Sequence, residues 1–304
     1  MYYPLLSTFH KSLHFFRKVL YNFIEVKYNT TIKTASGPDR KDLSIMKKTI
    51  ALVLTLVTLL LCCGCGKKAD PNSDLAYIQK KGTLVVGITD YAPMDYKDEN
   101  GNWTGFDAEF AEAVAAKLGV KCEFIEIDWD NKYFELESKA IDCIWNGMTI
   151  CDEVNLNTSC SNPYVKNAQV VVMPKSEADG YDAIELLKGL KFAVEASSAG
   201  AAALDDIGIT DYTQVQAQSN ALMEVAAGTA DACVIDITMA NAMTGEGTGY
   251  ADLTIACELT TEEYGIGFRK DSDVTAKVNE LMATMMTDGT LDQLAQKYEL
   301  TLVK

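Results

Sequence analysis

Histidine is almost absent from this chain, and its two copies, His10 and His14, both lie near the amino terminus. If the first 64 residues are removed, as argued below, the remaining protein has no histidine. A Ser-His-Asp triad, a Cys-His dyad and a histidine-based zinc or iron site are then excluded. The six cysteines that follow Cys65 show no CxxC spacing, which is a further argument against a metal site. We expect neither a metal nor a cofactor.

Positive charge is also scarce. The chain has 27 Lys and Arg residues against 43 Asp and Glu residues, and the first 64 residues hold 9 of the basic but only 3 of the acidic ones. Residues 65–304 therefore carry 18 basic and 40 acidic side chains, a net charge of −22. Such a surface repels nucleic acid and anionic lipid, so no nucleic-acid partner is expected.

Residues 46–64 begin with Met-Lys-Lys, continue as the apolar run Ile50–Leu61 and end in small residues. This order is typical of a secretory signal peptide, and the run is too short to span a bilayer comfortably. The cysteine after Gly64 looks like the lipidation site of a bacterial lipoprotein. We therefore predict that Cys65 carries a lipid anchor, with Cys63 as the second choice and an uncleaved membrane anchor as the alternative interpretation.

Residues 1–45, which precede this segment, are basic and aromatic but lack the order of a signal peptide. We interpret them as the result of a start codon assigned too far upstream and leave them out of the fold. Residues 65–75 form a short polar spacer. The prediction is an extracytoplasmic protein held at the cell membrane by its lipid.

Hydrophobic patterning in the remaining 240 or so residues alternates between strands and helices, which is typical of α/β proteins with parallel sheets. The predicted strands are Leu84–Thr89, Cys122–Ile127, Cys143–Trp145, Gln169–Met173, Lys191–Glu195, Tyr212–Val215, Ala232–Asp236 and Gly265–Arg269. The predicted helices are Asp107–Leu118, Tyr133–Ser138, Ser198–Leu204, Ser219–Ala226 and Val274–Tyr298, the last divided in two at Gly289.

Six motifs occur in an order that carries a family resemblance: GTLVVGIT with GFDAEFAEAVAAKLGV, then WD with KAIDCIWNGMTI, SNPYV, KFAVEASSAGAAAL, ADACVID and YGIGFRKDS. Each motif is weak alone, but the ordered set resembles extracellular solute-binding proteins of family 3, the polar amino-acid receptors of ABC importers. The resemblance implies a two-lobed α/β fold of the periplasmic-binding-protein type. Each lobe would be a mostly parallel sheet flanked by helices.

The resemblance also implies where the lobes begin and end. Lobe 1 would comprise residues 76–168 and 256–304, and lobe 2 would comprise residues 172–252. Two crossing strands near Gln169–Val172 and Leu253–Cys257 would join the lobes, which would close on a ligand in the cleft between them.

A zwitterionic ligand needs an anion for its ammonium group, donors for its carboxylate and an apolar wall. Asp236 ends a buried strand, where a carboxylate is costly unless a cation or donor meets it, and the resemblance makes it the ammonium acceptor. Its position also fits a helix N-cap. By resemblance, Tyr91 stacks on the ligand; the alternative is a surface turn residue. Asp90 beside it either lines the pocket or caps the turn.

The segment Trp145-Asn146-Gly147-Met148-Thr149 supplies the next expected contacts. Trp145 is either a pocket wall or a core residue. Asn146 is counted with the pocket, and Gly147 and Thr149 match the backbone and hydroxyl contacts that the family makes to the ligand carboxylate. Glycine lets a ligand approach the main chain closely.

The chain departs from the family pattern at Val154, where the resemblance leads us to expect an arginine that forks onto the ligand carboxylate. Lys132 is the proposed replacement, with a solvated lysine at a helix start as the alternative. The family often has Gly-Thr-Thr where this chain has Ser197-Ser198-Ala199. Ser198 opens a helix and can still donate to the ligand, as can the free backbone N–H groups there.

Three functions are weighed. The first is a binding protein that delivers an amino acid or a related small polar solute to an ABC permease. The second is an enzyme on the same fold, because a dehydratase family shares it. Catalysis needs a poised acid or base, and without histidine only a carboxylate or Lys132 remains. The third is a sensory ligand-binding protein. The binding protein is the favoured prediction.

Overall fold

A computed structural model describes residues 73–181 and 183–304 of the chain. The predicted signal peptide, the lipidation candidates Cys63 and Cys65, and the extension 1–45 lie outside the described residues. Within the described part, no helix is both long and apolar enough to cross a membrane.

The described part contains ten α-helices, which are numbered here in chain order. They are α1 Asp74–Lys81, α2 Phe106–Leu118, α3 Lys132–Glu137, α4 Asp152–Asn157, α5 Lys175–Ala178, α6 Ala199–Asp206, α7 Gln218–Ala226, α8 Ile237–Met243, α9 Val274–Thr287 and α10 Thr290–Lys297. Two 3₁₀ turns, Trp129–Asn131 and Ile184–Leu187, accompany them.

The strands form two larger sheets and one short hairpin. They are β1 Thr83–Ile88, β2 Tyr96–Lys97, β3 Trp103–Thr104, β4 Lys121–Glu126, β5 Cys143–Thr149, β6 Ser159–Cys160, β7 Val165–Asn167, β8 Gln169–Pro174, β9 Phe192–Glu195, β10 Tyr212–Val215, β11 Ala232–Asp236, β12 Leu253–Glu258 and β13 Glu262–Phe268. The first sheet has the order β4-β1-β5-β13-β6, with β7 also paired to β13, and the second has the order β10-β9-β11-β8-β12.

Both sheets are mixed, which corrects the expectation of mostly parallel sheets. In the first, β1 pairs parallel with β4 and β5, but β13 runs antiparallel to β5, β6 and β7. In the second, β9 pairs parallel with β10 and β11, but β8 runs antiparallel to β11 and β12. The strands that run antiparallel to their neighbours, β8 and β13, directly follow the two points where the chain passes between the sheets. A parallel neighbour would need a helical crossover within the same sheet, and a strand that arrives from the other sheet has none.

The chain passes between the sheets twice. It leaves β7 of the first sheet and enters β8 of the second at Ala168, and it leaves β12 and returns to β13 through residues 259–261. The two passages are bonded to each other: the N–H of Leu259 donates to the carbonyl of Gln169 at 2.8 Å, and the N–H of Gln169 donates to Thr260 Oγ1 at 3.1 Å. They form a paired connection between two otherwise separate sheets.

Aromatic packing and one ion-pair network stabilise the first sheet. Phe110 lies between Trp145, at 4.8 Å between ring centroids, and Tyr164, at 5.8 Å. Buried Arg269 at the end of β13 bonds Asp74 and Asp142, with N–O distances of 2.9 and 3.2 Å. The guanidinium thus joins the start of α1 and the loop before β5 to the end of β13.

Candidate functional site

A cavity of about 70 Å³ opens where the carboxyl ends of strands from both sheets meet. The carboxyl ends of strands are the usual place for ligands in α/β sheets. Six of the nine predicted ligand-binding residues line the cavity: Lys132, Asn146, Gly147, Thr149, Ser198 and Asp236.

The other three predicted residues lie elsewhere. Asp90 is exposed and is not part of the cavity lining. Trp145 is fully buried against Phe110, in agreement with the core alternative. Tyr91 is also buried, so it is no surface turn residue, and its hydroxyl bonds Thr238 at 2.6 Å and also bonds Tyr264. Tyr91 thus lies behind the cavity and joins the turn after β1 to helix α8.

Asp236 lies at the end of β11 and is 3% exposed. The side-chain amides of Asn167, Gln169 and Gln218 all donate to its carboxylate. Its side chain caps no N–H of α8, although the residue occupies the N-cap position. Burial and the nearby negative charge of Glu262 raise the pKa of Asp236 to about 7, and the amide donors oppose this rise.

Glu262 is a second acidic group at this end of the cleft, and the sequence reading did not include it. Its Oε1 accepts from Thr149 Oγ1 at 2.7 Å, from Asn167 Nδ2 at 2.6 Å and from Gln169 Nε2 at 2.7 Å. Thr149 has one hydroxyl proton and gives it to Glu262, so its oxygen is left as an acceptor. The environment of Asp236 and Thr149 is therefore suited to a cation.

Lys132 begins α3 and is only 3% exposed, which excludes the solvated-surface alternative. Its ammonium donates to the carbonyls of Trp129 and Ser197, at 3.2 and 3.1 Å, and lies over the rings of Trp129 and Tyr133. Burial lowers the pKa of Lys132, while the negative charges of Glu153 and Glu195 oppose that effect. It is the one buried cation among the described residues that line the cavity.

Val154 occupies the position where the resemblance implied an arginine. It is buried on α4 and packs in a hydrophobic cluster with Trp129 and Met148. No donor can come from this side chain, so the polarity of this wall depends on Lys132 on the neighbouring element.

Ser198 is the N-cap of α6, and its hydroxyl accepts from the N–H of Ala201 at 3.2 Å. Ser197 before it has φ of 55°, a left-handed conformation that is uncommon for residues other than glycine. This conformation directs the Ser197 carbonyl to Lys132, while its hydroxyl donates to Asp130. Ala199 and Gly200, which begin α6, line the cavity together with Lys132, and the free N–H groups of a helix start beside an ammonium are suited to an anion.

Gly147 has φ of 56°, and a Cβ placed there would lie 2.5 Å from Cε1 of Tyr91 and 3.1 Å from Tyr264. Its N–H donates to Asp107 at 2.6 Å, so this backbone donor is already used. The backbone contact expected from Gly147 to a ligand carboxylate would have to replace that bond. Two hydrogen bonds join opposite sides of the cleft. Lys132 donates to the carbonyl of Ser197, and the side-chain amide of Gln216 donates to Asp128.

Sequence reasoning missed several cavity residues. Glu195 ends a buried strand and Gln169 begins one. A polar residue next to a buried apolar run can be recognised in a sequence as a candidate binding residue. Cys151, Glu153 and Gln218 lie on helix starts with no such signal. From the sequence, Cys151 and Cys160 flank one loop and could pair outside the cell; in the structure both are thiols.

Four buried carboxylates give a prediction for stability. Burial raises the pKa of Asp107 and Asp236 to about 7 and that of Glu195 to about 8, and burial and Asp107 hold the pKa of Asp95 well above its usual range. Between about pH 4 and 8 the folded state keeps protons that the unfolded chain loses. We expect the melting temperature of the ligand-free protein to fall steadily from pH 5 to pH 9. Calorimetric unfolding across this range tests it, and a rise over the range contradicts it.

The fold and cleft define the class: a two-lobed α/β binding protein. The chain belongs to the bacterial extracellular solute-binding proteins, family 3, whose model matches residues 84–301. Among curated relatives, the L-cystine-binding protein TcyJ of Escherichia coli K12 is 28% identical over 224 residues, which are 73% of this chain and 84% of TcyJ.

Solved structures agree with this assignment. An ABC uptake transporter substrate-binding protein of Streptococcus pneumoniae with bound histidine has a TM-score of 0.69 and 28% identity, and the match covers 75% of this chain and 97% of that one. The ancestral amino-acid-binding protein AncCDT-1, a precursor of cyclohexadienyl dehydratase, has a TM-score of 0.68 and 33% identity, with 74% and 99% coverage. The two-lobed α/β prediction and the family are confirmed.

Proposed function

We propose that this protein is the substrate-binding component of an ABC importer and binds an amino acid in the cleft between its sheets. The observation that carries the proposal is the separation of charge in one cavity. Asp236 and Lys132, together with the residues that begin α6, line the same cavity. An α-amino acid presents an ammonium and a carboxylate close together, which this arrangement matches.

The ligand would lie with its ammonium at Asp236 and its carboxylate between Lys132 and Ser198. Closure would be a hinge motion at the two paired passages, between one lobe built on the first sheet and one built on the second. Contacts that already join the two sides, such as that of Lys132 with the Ser197 carbonyl, support a closed form of this kind. A ligand that bridges the lobes raises the population of that form, which the permease would recognise.

We further propose that Cys65 carries the lipid that anchors the protein outside the cytoplasm. The relatives named above are described as binding proteins, and a binding role needs no catalytic group. The dehydratase relationship keeps an enzyme as the second candidate. Asp236 and Glu195, with pKa values of about 7 and 8, are the groups that would act as acid or base in that case.

The test is calorimetric titration of the purified protein with the proteinogenic amino acids, followed by mass spectrometry of the recovered ligand. We expect saturable binding of at least one amino acid, which is recovered unchanged. Absence of binding to the whole panel would contradict the proposed class of ligand. Recovery of a dehydrated or decarboxylated product would establish the enzyme instead.

A further inference from the structure

Glu195 is a buried carboxylate of the cavity to which the proposed function gives no partner. It ends β9, is 4% exposed and lines the cavity. Its Oε1 makes no hydrogen bond within residues 73–181 and 183–304. A buried carboxylate oxygen without a donor is costly, and such atoms are uncommon in folded proteins.

The surroundings of Glu195 differ from those of Asp236. Three amide side chains donate to Asp236, so that carboxylate is held in place before a ligand arrives. Burial and the repulsion of Asp236 raise the pKa of Glu195, and the attraction of Lys132 only partly offsets them. The ammonium of Lys132 donates to two backbone carbonyls rather than to Glu195.

The balance of charge among the cavity residues also favours a positively charged partner for Glu195. The buried ionisable groups of its lining are Lys132, Glu195 and Asp236, with a net charge of −1 when all three are charged. An amino acid with a neutral side chain adds no net charge, so Glu195, with its pKa of about 8, either stays protonated or keeps an uncompensated buried charge. A ligand with one further positive charge neutralises these three lining groups, which burial favours.

We infer that the ligand is an amino acid with a second positively charged nitrogen, and that this nitrogen donates to the carboxylate of Glu195. The inference rests on the proposed function, because it assumes that Asp236 and Lys132 hold the α-ammonium and α-carboxylate. Glu195 is then the residue that determines specificity. The exposed Glu153, at the cavity rim, lies in water and would discriminate little.

The test compares ligands that differ by one amine. L-Ornithine and L-norvaline share a carbon chain, as do L-lysine and L-norleucine, and calorimetry measures the affinity of each for wild type. At least one diamino acid is expected to bind about tenfold or more tighter than its partner, since a charged hydrogen bond is involved. L-Arginine and L-histidine extend the set to other cations.

Variants then identify the residue. Glu195→Gln preserves size and should remove most of the preference for the diamino acid, while Glu177→Gln, at an exposed glutamate on α5 outside the cavity lining, should keep it within about threefold. Glu195 is mostly protonated at pH 7 and should lose its proton when a cationic nitrogen binds beside it. Wild type should therefore release more protons with the diamino acid than with its neutral partner at pH 7. Titration in buffers of different ionisation enthalpy measures this difference, which Glu195→Gln should abolish.

The outcomes separate the two proposals. If no amino acid of either kind binds, the proposed function fails. If neither diamino acid binds more tightly than its neutral partner, the proposed function stands and this inference is overturned. A preference that survives in Glu195→Gln also overturns it. Should that variant fail to fold, the wild-type comparison and its proton release decide the question.

Discussion

Replacement of Asp236 by alanine is expected to abolish detectable binding of any aminated ligand. Asp236 is 3% exposed, so its interaction with an ammonium would be almost fully desolvated. Removal of one partner from a buried charge pair costs about 2–5 kcal/mol. This corresponds to roughly 30-fold to several-thousand-fold in affinity. Calorimetric titration with the best ligand of the amino-acid panel measures the loss.

Alanine at this position also removes the acceptor of Gln218 and one of the two acceptors of Asn167 and of Gln169, which keep Glu262. Asp236→Asn is therefore the companion variant, because it keeps the shape and one carbonyl acceptor but removes the charge. Asp231 lies just before the other end of β11, where its carboxylate accepts from the N–H of Lys191 at 2.8 Å. Asp231→Asn is the matched control and should bind like wild type. Affinity within a few-fold of wild type in both Asp236 variants would exclude Asp236 as the ammonium acceptor.

Replacement of Lys132 by methionine is expected to weaken binding of a carboxylated ligand at least tenfold. The side chain is buried and faces the anion-suited end of the cavity, where Val154 offers no donor. A hydrogen bond to a charged group contributes about 1.5–3 kcal/mol. Methionine has a similar length and retains the packing against Trp129 and Tyr133, so the change isolates the ammonium.

The ligand itself provides a control for Lys132. An amino-acid amide has no carboxylate, so its weaker binding should be nearly the same in wild type and in Lys132→Met. Lys139→Met changes an exposed lysine outside the cavity lining, so it should alter the affinity for neither the acid nor the amide. If Lys132→Met lowers the affinity for the acid and the amide equally, the lysine acts through its bonds to Trp129 and Ser197 and not on the carboxylate.

Secondary structure was largely predictable because the relevant signals are local. Each of the eight predicted strands has a counterpart in the structure, and the break of the last helical segment at Gly289 is present, with φ of 79° at that glycine. The elements that were missed, such as α4 and α8, are six or seven residues long and too short for a clear hydrophobic period. Strand direction was misjudged at β8 and β13 because alternation of strands and helices does not reveal where a chain changes sheets.

The candidate site divides in the same way. Asp236 could be singled out because a carboxylate that ends the apolar run Val234-Ile235 is unusual in a sequence. The burial of Lys132 could not, since its neighbours Asp130 and Asn131 are polar and resemble a solvated helix start. Only the approach of Ser197, 65 residues later in the chain, removes Lys132 from water.

The class of protein follows from the amino-acid sequence alone: the chain is acidic and poor in histidine, and it carries the ordered motifs of a solute-binding family. These features depend on residue types and short spacings. Which groups share the cavity depends on the tertiary structure. In the described residues the hydroxyl of Thr149 donates to Glu262, Asp90 and Trp145 lie outside the lining, and one oxygen of Glu195 has no donor. Burial and pairing are properties of residues distant in sequence, so they become defined only when the two sheets meet.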